Sequence, residues 1–169
     1  DDVIVADGGG TVVQMAFQAL RVKKGQRLII DGGLCAMGSG LPSSIGACFA
    51  SGKRRTICLS GDGSLQFNIH ELQTMVHHRL PIKLFVLNNA GYLSIRQTQD
   101  GFLGARHVGS GFSGGLSLPD IARVAKAYGL PCFLAENHRD LDRAIARTLA
   151  HRGPAICQLM ISPKEPVVP

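Results

Sequence analysis

Six short apolar runs divide the chain, at residues 3–6, 28–30, 56–59, 82–87, 132–135 and 155–161, and several are rich in Val and Ile. Runs of this length and composition read as strands buried on both faces. Between them lie segments of helical periodicity at about 12–20, 42–51, 68–78, 119–128 and 139–151. Such alternation demands parallel pairing, because a right-handed crossover returns the chain to begin each new strand at the same edge. The sequence therefore predicts an α/β fold: a three-layer domain with a mostly parallel sheet of about six strands flanked by helices. At 169 residues and 45% apolar content there is material for one core and hardly for two, so residues 1–169 read as a single domain. The start at Asp1-Asp2, running at once into a strand, reads as part of a longer chain.

Charge and cysteine content narrow the function classes. The net charge is +6, but the basic residues are scattered except for Arg139, Arg143 and Arg147, four apart on one helical face opposite Leu141, Ile145 and Leu149. That pattern reads as a solvated stripe, so no nucleic-acid partner is expected. No run approaches the roughly 18 apolar residues of a membrane span, and no membrane partner is expected. The five cysteines form no C-x-x-C pair, which fits free thiols in a reducing, cytoplasmic setting. His77-His78 are adjacent and do not share a helix face, so they receive no metal role. Residues 90–117 carry seven glycines with only a short helical possibility at 94–99, and read as a long functional or mobile loop.

Chemistry gathers where two of the strands end. The run at 56–59 leads into Gly61-Asp62-Gly63-Ser64, and the run at 82–87 leads into Asn88-Asn89. Between them Asn68 and Glu71 have the N-x-x-E spacing of a capping box, followed by Ile69, Leu72, Met75 and Val76 on one face. One helical crossover thus separates the two motifs, and in a parallel unit both emerge at the carboxyl edge, where open α/β sheets bind ligands. A carboxylate, an amide oxygen and a backbone carbonyl make a hard, oxygen-only set suited to Mg²⁺ or Ca²⁺. One formal negative charge leaves such a site in need of an anionic ligand. Gly61 and Gly63 permit close approach and Ser64 offers donors near a helix start, so a metal-bound phosphate ester is the expected ligand. Taken alone, G-D-G is also an ordinary strand-to-helix turn. Neither Gly-rich loop spells G-x-G-x-x-G, and "GACFASGKR" misses the Walker spacing.

G-D-G followed at this distance by N-N resembles the signature of thiamine-diphosphate-dependent enzymes. The whole chain is similar to their carboxyl-terminal diphosphate-binding domain, nearest to the acetolactate-synthase-like family. The resemblance implies Mg²⁺ held by Asp62, the side chain of Asn89 and the carbonyl of Gly91. It implies thiamine diphosphate bound by Gly9, Gly10 and Thr11 in the "DGGGT" loop, by Asp62, Gly63 and Ser64, and by Asn89, Gly91 and Tyr92. The stretch "GGLCAMGSGLPSSIG" (32–46) resembles the segment cupping the cofactor rings, which adds Cys35 and puts Met37 at the wedge that holds the cofactor bent. As a plain reading, Met37 is a side chain filling a core gap.

The family's activating glutamate is carried by a separate pyrimidine-binding domain, usually of a neighbouring subunit. Glu71, Glu136 and Glu165 match no such residue, Glu165 lying in a "PKEPVVP" tail that resembles the family's carboxyl end. The resemblance therefore implies half an active site within a longer, homo-oligomeric enzyme that decarboxylates a 2-oxo acid and passes the acyl group to a carbonyl acceptor. The isolated domain is expected to be inactive. A β-type subunit of a two-chain 2-oxo acid decarboxylase and a non-catalytic cofactor-binding module remain alternatives. Ser94 and Thr98 stand where acetolactate synthase has a methionine and a tryptophan. Smaller hydroxyl residues there suit a larger polar acceptor, unless both simply cap or face solvent on a short helix.

Overall fold

The computed structural model describes residues 2–164. Strands β1 (Val3–Ala6), β2 (Arg27–Ile30), β3 (Thr56–Gly61), β4 (Ile82–Asn88), β5 (Cys132–Ala135) and β6 (Ala155–Met160) form one sheet. Their order is β2-β1-β3-β4-β6-β5, and every neighbouring pair is parallel. The expected α/β architecture is therefore the observed one, with strand limits shifted by a residue or two.

The helices are α1 (Gly10–Ala19), α2 (Gly40–Ala50), α3 (Asp62–Leu65), α4 (Leu72–His77), α5 (Leu93–Phe102), α6 (Ile121–Ala127) and α7 (His138–Ala150). Strand alternation sorts the core into two layers. Ile82, Leu84 and Val86 of β4 face α2, α4 and α6 through Leu41, Ile45, Leu72, Met75 and Ile121. Phe85 points the other way, toward Leu141, Ile145 and Leu149 of α7, while Val12 and Ala16 of α1 cover Ala6 and Leu59. The arginine stripe of α7 lies outward as expected. Arg143 donates to Asp140 at 2.8 Å, and the Arg147 guanidinium sits 4.7 Å from the Phe133 ring centroid.

The amino edge of the sheet is closed by two polar clasps. Lys83 on β4 is 1% exposed, and its ammonium donates to the carbonyls of His151 and Gly153 in the turn between α7 and β6. Burial, with a smaller contribution from the Arg55 charge, pushes this lysine below its usual value. Arg55, just before β3, grips Asp2, just before β1, with Nε–Oδ1 2.6 Å and Nη2–Oδ2 2.9 Å.

Two local expectations need correction. Helix begins at Asp62 itself, directly off β3, and continues through a 3₁₀ stretch at Gln66–Glu71 into α4. Asn68 is not a cap: it is a kink within that stretch (φ −136°, ψ 30°), and its Nδ2 donates to the carbonyl of Gly38 at 2.9 Å. Glu71 makes no reciprocal cap and lies 3.6 Å from His70 Nε2. The second correction concerns residues 90–117, which are not one open loop. They hold the ten-residue α5 and a 3₁₀ turn at Phe112–Gly114, tied together by Gln99 Nε2 to Val108 O (2.9 Å) and Ser110 Oγ to Gln99 Oε1 (2.6 Å). Glu165 and the rest of the tail lie outside the described residues.

Candidate functional site

The β3–β4 register sets Gly61 opposite Leu87, so Asp62 and Asn88 leave the sheet side by side. Asp62 is 2% exposed, and its Oδ2 accepts the Gly91 N–H at 3.0 Å. Burial pushes its carboxyl above the ordinary value, opposed by backbone donors of Gly91, Gly63 and Asn89. The two asparagines have separate tasks. Asn88 Oδ1 accepts the Ala90 N–H at 3.1 Å and so folds the turn. Asn89 is 5% exposed, and its Oδ1 is the buried side-chain oxygen left without a hydrogen-bond partner among the described residues. An orphaned buried acceptor costs about 1–3 kcal/mol, so its presence at a sheet edge marks a place for a ligand.

Around this pair side chains pack directly against glycine backbone. A Cβ on Gly63 would stand 2.4 Å from the Tyr92 ring, and one on Gly9 would stand 2.3 Å from Ser64 Oγ. Helices α1 and α5 both start here, after Gly9 and Tyr92, without side-chain caps on their first N–H groups. Uncapped starts of this kind suit an anion. The residues enclose a cavity of about 150 Å³, which also includes Gly10, Thr11 and Ser94 and has Met37 at its rim. Met37 is 38% exposed. Cys35 does not line the cavity: it is exposed, with φ +50°, and its Sγ turns back to the Gly32 carbonyl at 3.8 Å. Thr98 uses its hydroxyl on the Ser94 carbonyl at 3.0 Å, whereas Ser94 Oγ lies 2.6 Å from where a Cβ on Gly10 would be.

Asp7 organises this edge, a role the sequence reading did not give it. It is fully buried, and Oδ1 accepts the N–H groups of Gly9 (3.0 Å) and Gly38 (3.2 Å). Oδ2 accepts from Gly40 N (3.2 Å) and Ser60 Oγ (3.0 Å). One carboxylate thus fixes the loop after β1, the segment around Met37 and the end of β3 against each other. An aspartate that ends a strand was the only sequence signal, and it does not distinguish this hub from a turn former.

The donor set fits the expected groups. Among the described residues no three His, Cys, Asp or Glu side chains cluster as a metal site. A carboxylate with an unpaired amide oxygen is the arrangement that suits a hard cation, and it needs an anionic co-ligand. A larger cavity, about 690 Å³, lies between α1 and α7 and is lined mainly by aliphatic side chains such as Leu59, Leu87 and Leu159. It has room but little chemistry. Between these two, the smaller cavity is the candidate site on physical grounds, since it combines a buried carboxylate, an acceptor without a partner among the described residues and uncapped helix starts.

Such an edge defines a ligand-binding domain of the open, parallel α/β class. The family profile described as "Thiamine pyrophosphate enzyme, C-terminal TPP binding domain" matches residues 8–159. The chain is 34% identical over 152 residues to the acetolactate synthase large subunit of Porphyra purpurea, covering 90% of this chain and 25% of that protein. It is 29% identical to the acetolactate synthase isozyme 1 large subunit of Escherichia coli (strain K12), over 100% of this chain and 30% of that protein. The chloroplastic acetolactate synthase 1 of Nicotiana tabacum is 30% identical, over 99% and 26%. This chain belongs to the thiamine pyrophosphate enzyme family, of which it is a C-terminal TPP-binding domain. It spans about a quarter of the length of these curated relatives.

Proposed function

We propose that this domain binds Mg²⁺ together with thiamine diphosphate and forms half the active site of an acetolactate-synthase-like enzyme. The observation that carries the reading is the unpaired, buried Asn89 Oδ1 in the same cavity as the buried Asp62 carboxylate. Asp62, Asn89 and the Gly91 carbonyl would hold the cation, which would relieve both the orphaned acceptor and the buried charge. The uncapped starts of α1 and α5, with Gly9, Gly10, Thr11, Gly63, Ser64 and Tyr92, would receive the diphosphate. Met37 would support the rings from the rim, and Cys35 would contribute through its backbone segment. The bound cofactor supplies the nucleophilic carbon on which a 2-oxo acid loses CO₂. The activating carboxylate would come from a pyrimidine-binding domain of the same or a neighbouring subunit in a homo-oligomer. The described cysteines are all free, which suits a reducing, cytoplasmic compartment.

The test is calorimetric titration of thiamine diphosphate into the intact protein with and without Mg²⁺. Mg²⁺ is expected to tighten binding, and Asp62→Ala to remove most of that gain. Equal affinity with and without Mg²⁺ in the wild type would overturn the reading. For the acceptor, Ser94 supports a polar carbonyl compound, since its small hydroxyl side chain lines the cavity. Thr98 is already engaged with its own helix and adds less than its sequence position suggests. Incubation with pyruvate alone is expected to give slow decarboxylation, accelerated by an added hydroxylated aldehyde or ketone. Rapid acetolactate formation from pyruvate alone would reject this acceptor.

A further inference from the structure

The turn that carries two of the three proposed cation ligands is conformationally costly. Ala90 has φ +59° and Gly91 has φ +131°, and a left-handed alanine alone costs about 1–2 kcal/mol. Such a turn persists only where its surroundings over-determine it. Asn88 and Asp62 take its N–H groups, and its carbonyl side is held by one side chain from α5. Arg96 Nη2 donates to the carbonyls of Asn89 (2.9 Å) and Pro163 (3.3 Å), and Nη1 to those of Ala90 (3.2 Å) and Ser110 (2.8 Å). The Ser110 carbonyl also accepts the Tyr92 N–H at 2.9 Å, closing the loop from its other side. A Cβ on Gly91 would meet the Ser110 carbonyl at 2.5 Å and Arg96 Nη1 at 2.9 Å, so the packed Ser110 main chain, together with the positive φ, requires the glycine. Among the described residues Arg96 forms no ion pair; its fork is spent on main-chain carbonyls. Only the rigid, planar guanidinium has the reach and the number of donors to serve four carbonyls from three separate segments.

We infer that Arg96 is a positioning residue that holds Asn89–Gly91 in the turn required for cation binding, and that it couples this turn to the return loop at Ser110 and to the segment after β6 at Pro163. The inference rests on the Mg²⁺–thiamine diphosphate reading given above. Outer partners of metal ligands typically alter metal affinity about 10- to 100-fold when removed, and that is the effect expected here.

The experiment measures Mg²⁺ affinity calorimetrically in the intact protein at saturating thiamine diphosphate, well below each variant's melting midpoint. Arg96→Met is expected to weaken Mg²⁺ about 10- to 100-fold, and Arg96→Lys to recover part of the loss, since one ammonium cannot reach all four carbonyls. Lys83→Met, at the opposite edge of the sheet, provides the comparison: it should lower the melting temperature while leaving Mg²⁺ affinity at the wild-type value. If Arg96→Met does not fold, Arg96→Lys decides the matter alone. Wild-type Mg²⁺ affinity in the folded Arg96 variants overturns the inference and leaves the cofactor reading intact. An equal loss of affinity in Lys83→Met also overturns it, because affinity would then merely follow stability. A wild-type protein whose cofactor binding ignores Mg²⁺ removes the reading and the inference together.

Discussion

At the amino edge of the sheet two polar side chains close on partners: Lys83 on two carbonyls, Arg55 on both oxygens of Asp2. At the carboxyl edge the same chain buries the Asp62 carboxylate, whose pKa burial raises, and leaves Asn89 Oδ1 without a partner among the described residues. Both edges are made by the same strands, and both bury polar side chains. The difference lies in satisfaction. The clasps of the amino edge spend their donors on the fold, while the carboxyl edge keeps a buried acceptor that the described residues leave unused. An edge of the first kind supports stability, and one of the second kind reduces it in exchange for binding.

The largest expected effect breaks the closed edge. Lys83→Ala removes a fully buried long side chain and frees two carbonyls, which should lower stability by about 2–4 kcal/mol in chemical denaturation, with cofactor affinity unchanged. A matching loss of cofactor affinity would show that the two edges are not independent. Asp7→Asn is the next test, because Asp7 lies at the open edge yet is fully engaged there. Replacing one acceptor oxygen by an amide donor sets N–H against N–H and should cost about 1–3 kcal/mol. It should also weaken thiamine diphosphate binding measurably, since the loops carrying Gly9 and Gly38 lose their common anchor. Unchanged binding would confine Asp7 to the fold.

Met37→Ala sharpens the comparison in the other direction. A half-exposed rim residue contributes little packing, so melting should shift little, while turnover of the intact enzyme should fall about tenfold or more with Mg²⁺ affinity retained. A normal rate would return Met37 to an ordinary filling role. The smallest effect belongs to Asp2. Arg55 hydrogen-bonds its carboxyl and holds it below the usual aspartate value, so the pair's contribution is fully present above about pH 4 and is lost as pH falls through the lowered folded value. Being partly exposed, the pair is worth at most about 1 kcal/mol. Asp2→Asn should therefore differ from wild type near neutral pH and converge with it in acid; a constant difference across that range would remove the electrostatic explanation.

The layout of the sheet was legible because buried parallel strands leave dense Val and Ile runs, and because Gly61-Asp62-Gly63 and Asn88-Asn89 each sit at a strand's end. What escaped the sequence had no periodic trace. α5 was legible only in part, as the short helical possibility at 94–99, because it is polar overall and buries little beyond Leu93 and Gln99. Asn68 and Glu71 had capping spacing, but the helix had already begun at Asp62, and spacing says nothing about where a helix starts when the strand turns directly into it. Asp7 and Arg96 act on main-chain atoms far away in sequence, and backbone acceptors carry no sequence identity to read. The cavity's members were legible as types; the side chains that hold them in place were not.

The strand order has a consequence for how the chain assembles. Local parallel units, β1 with β2, β3 with β4 and β5 with β6, each close over a single short crossover, whereas β1 meets β3 and β4 meets β6 only across longer separations. Short closures are the faster ones. Asp62 and Asn89 belong to one unit, while the Gly9 loop and the Met37 segment belong to another, so the site straddles a seam. In pulsed hydrogen exchange during refolding, the Gly91 amide, bonded to Asp62 within one unit, should gain protection before the Asp7 amide, which bonds the Leu59 carbonyl across the seam. Simultaneous protection would mean that the units do not form separately. With the seam closing last, a refolding chain has Asp62 and Asn89 side by side before the Gly9 loop and the Met37 segment close around them.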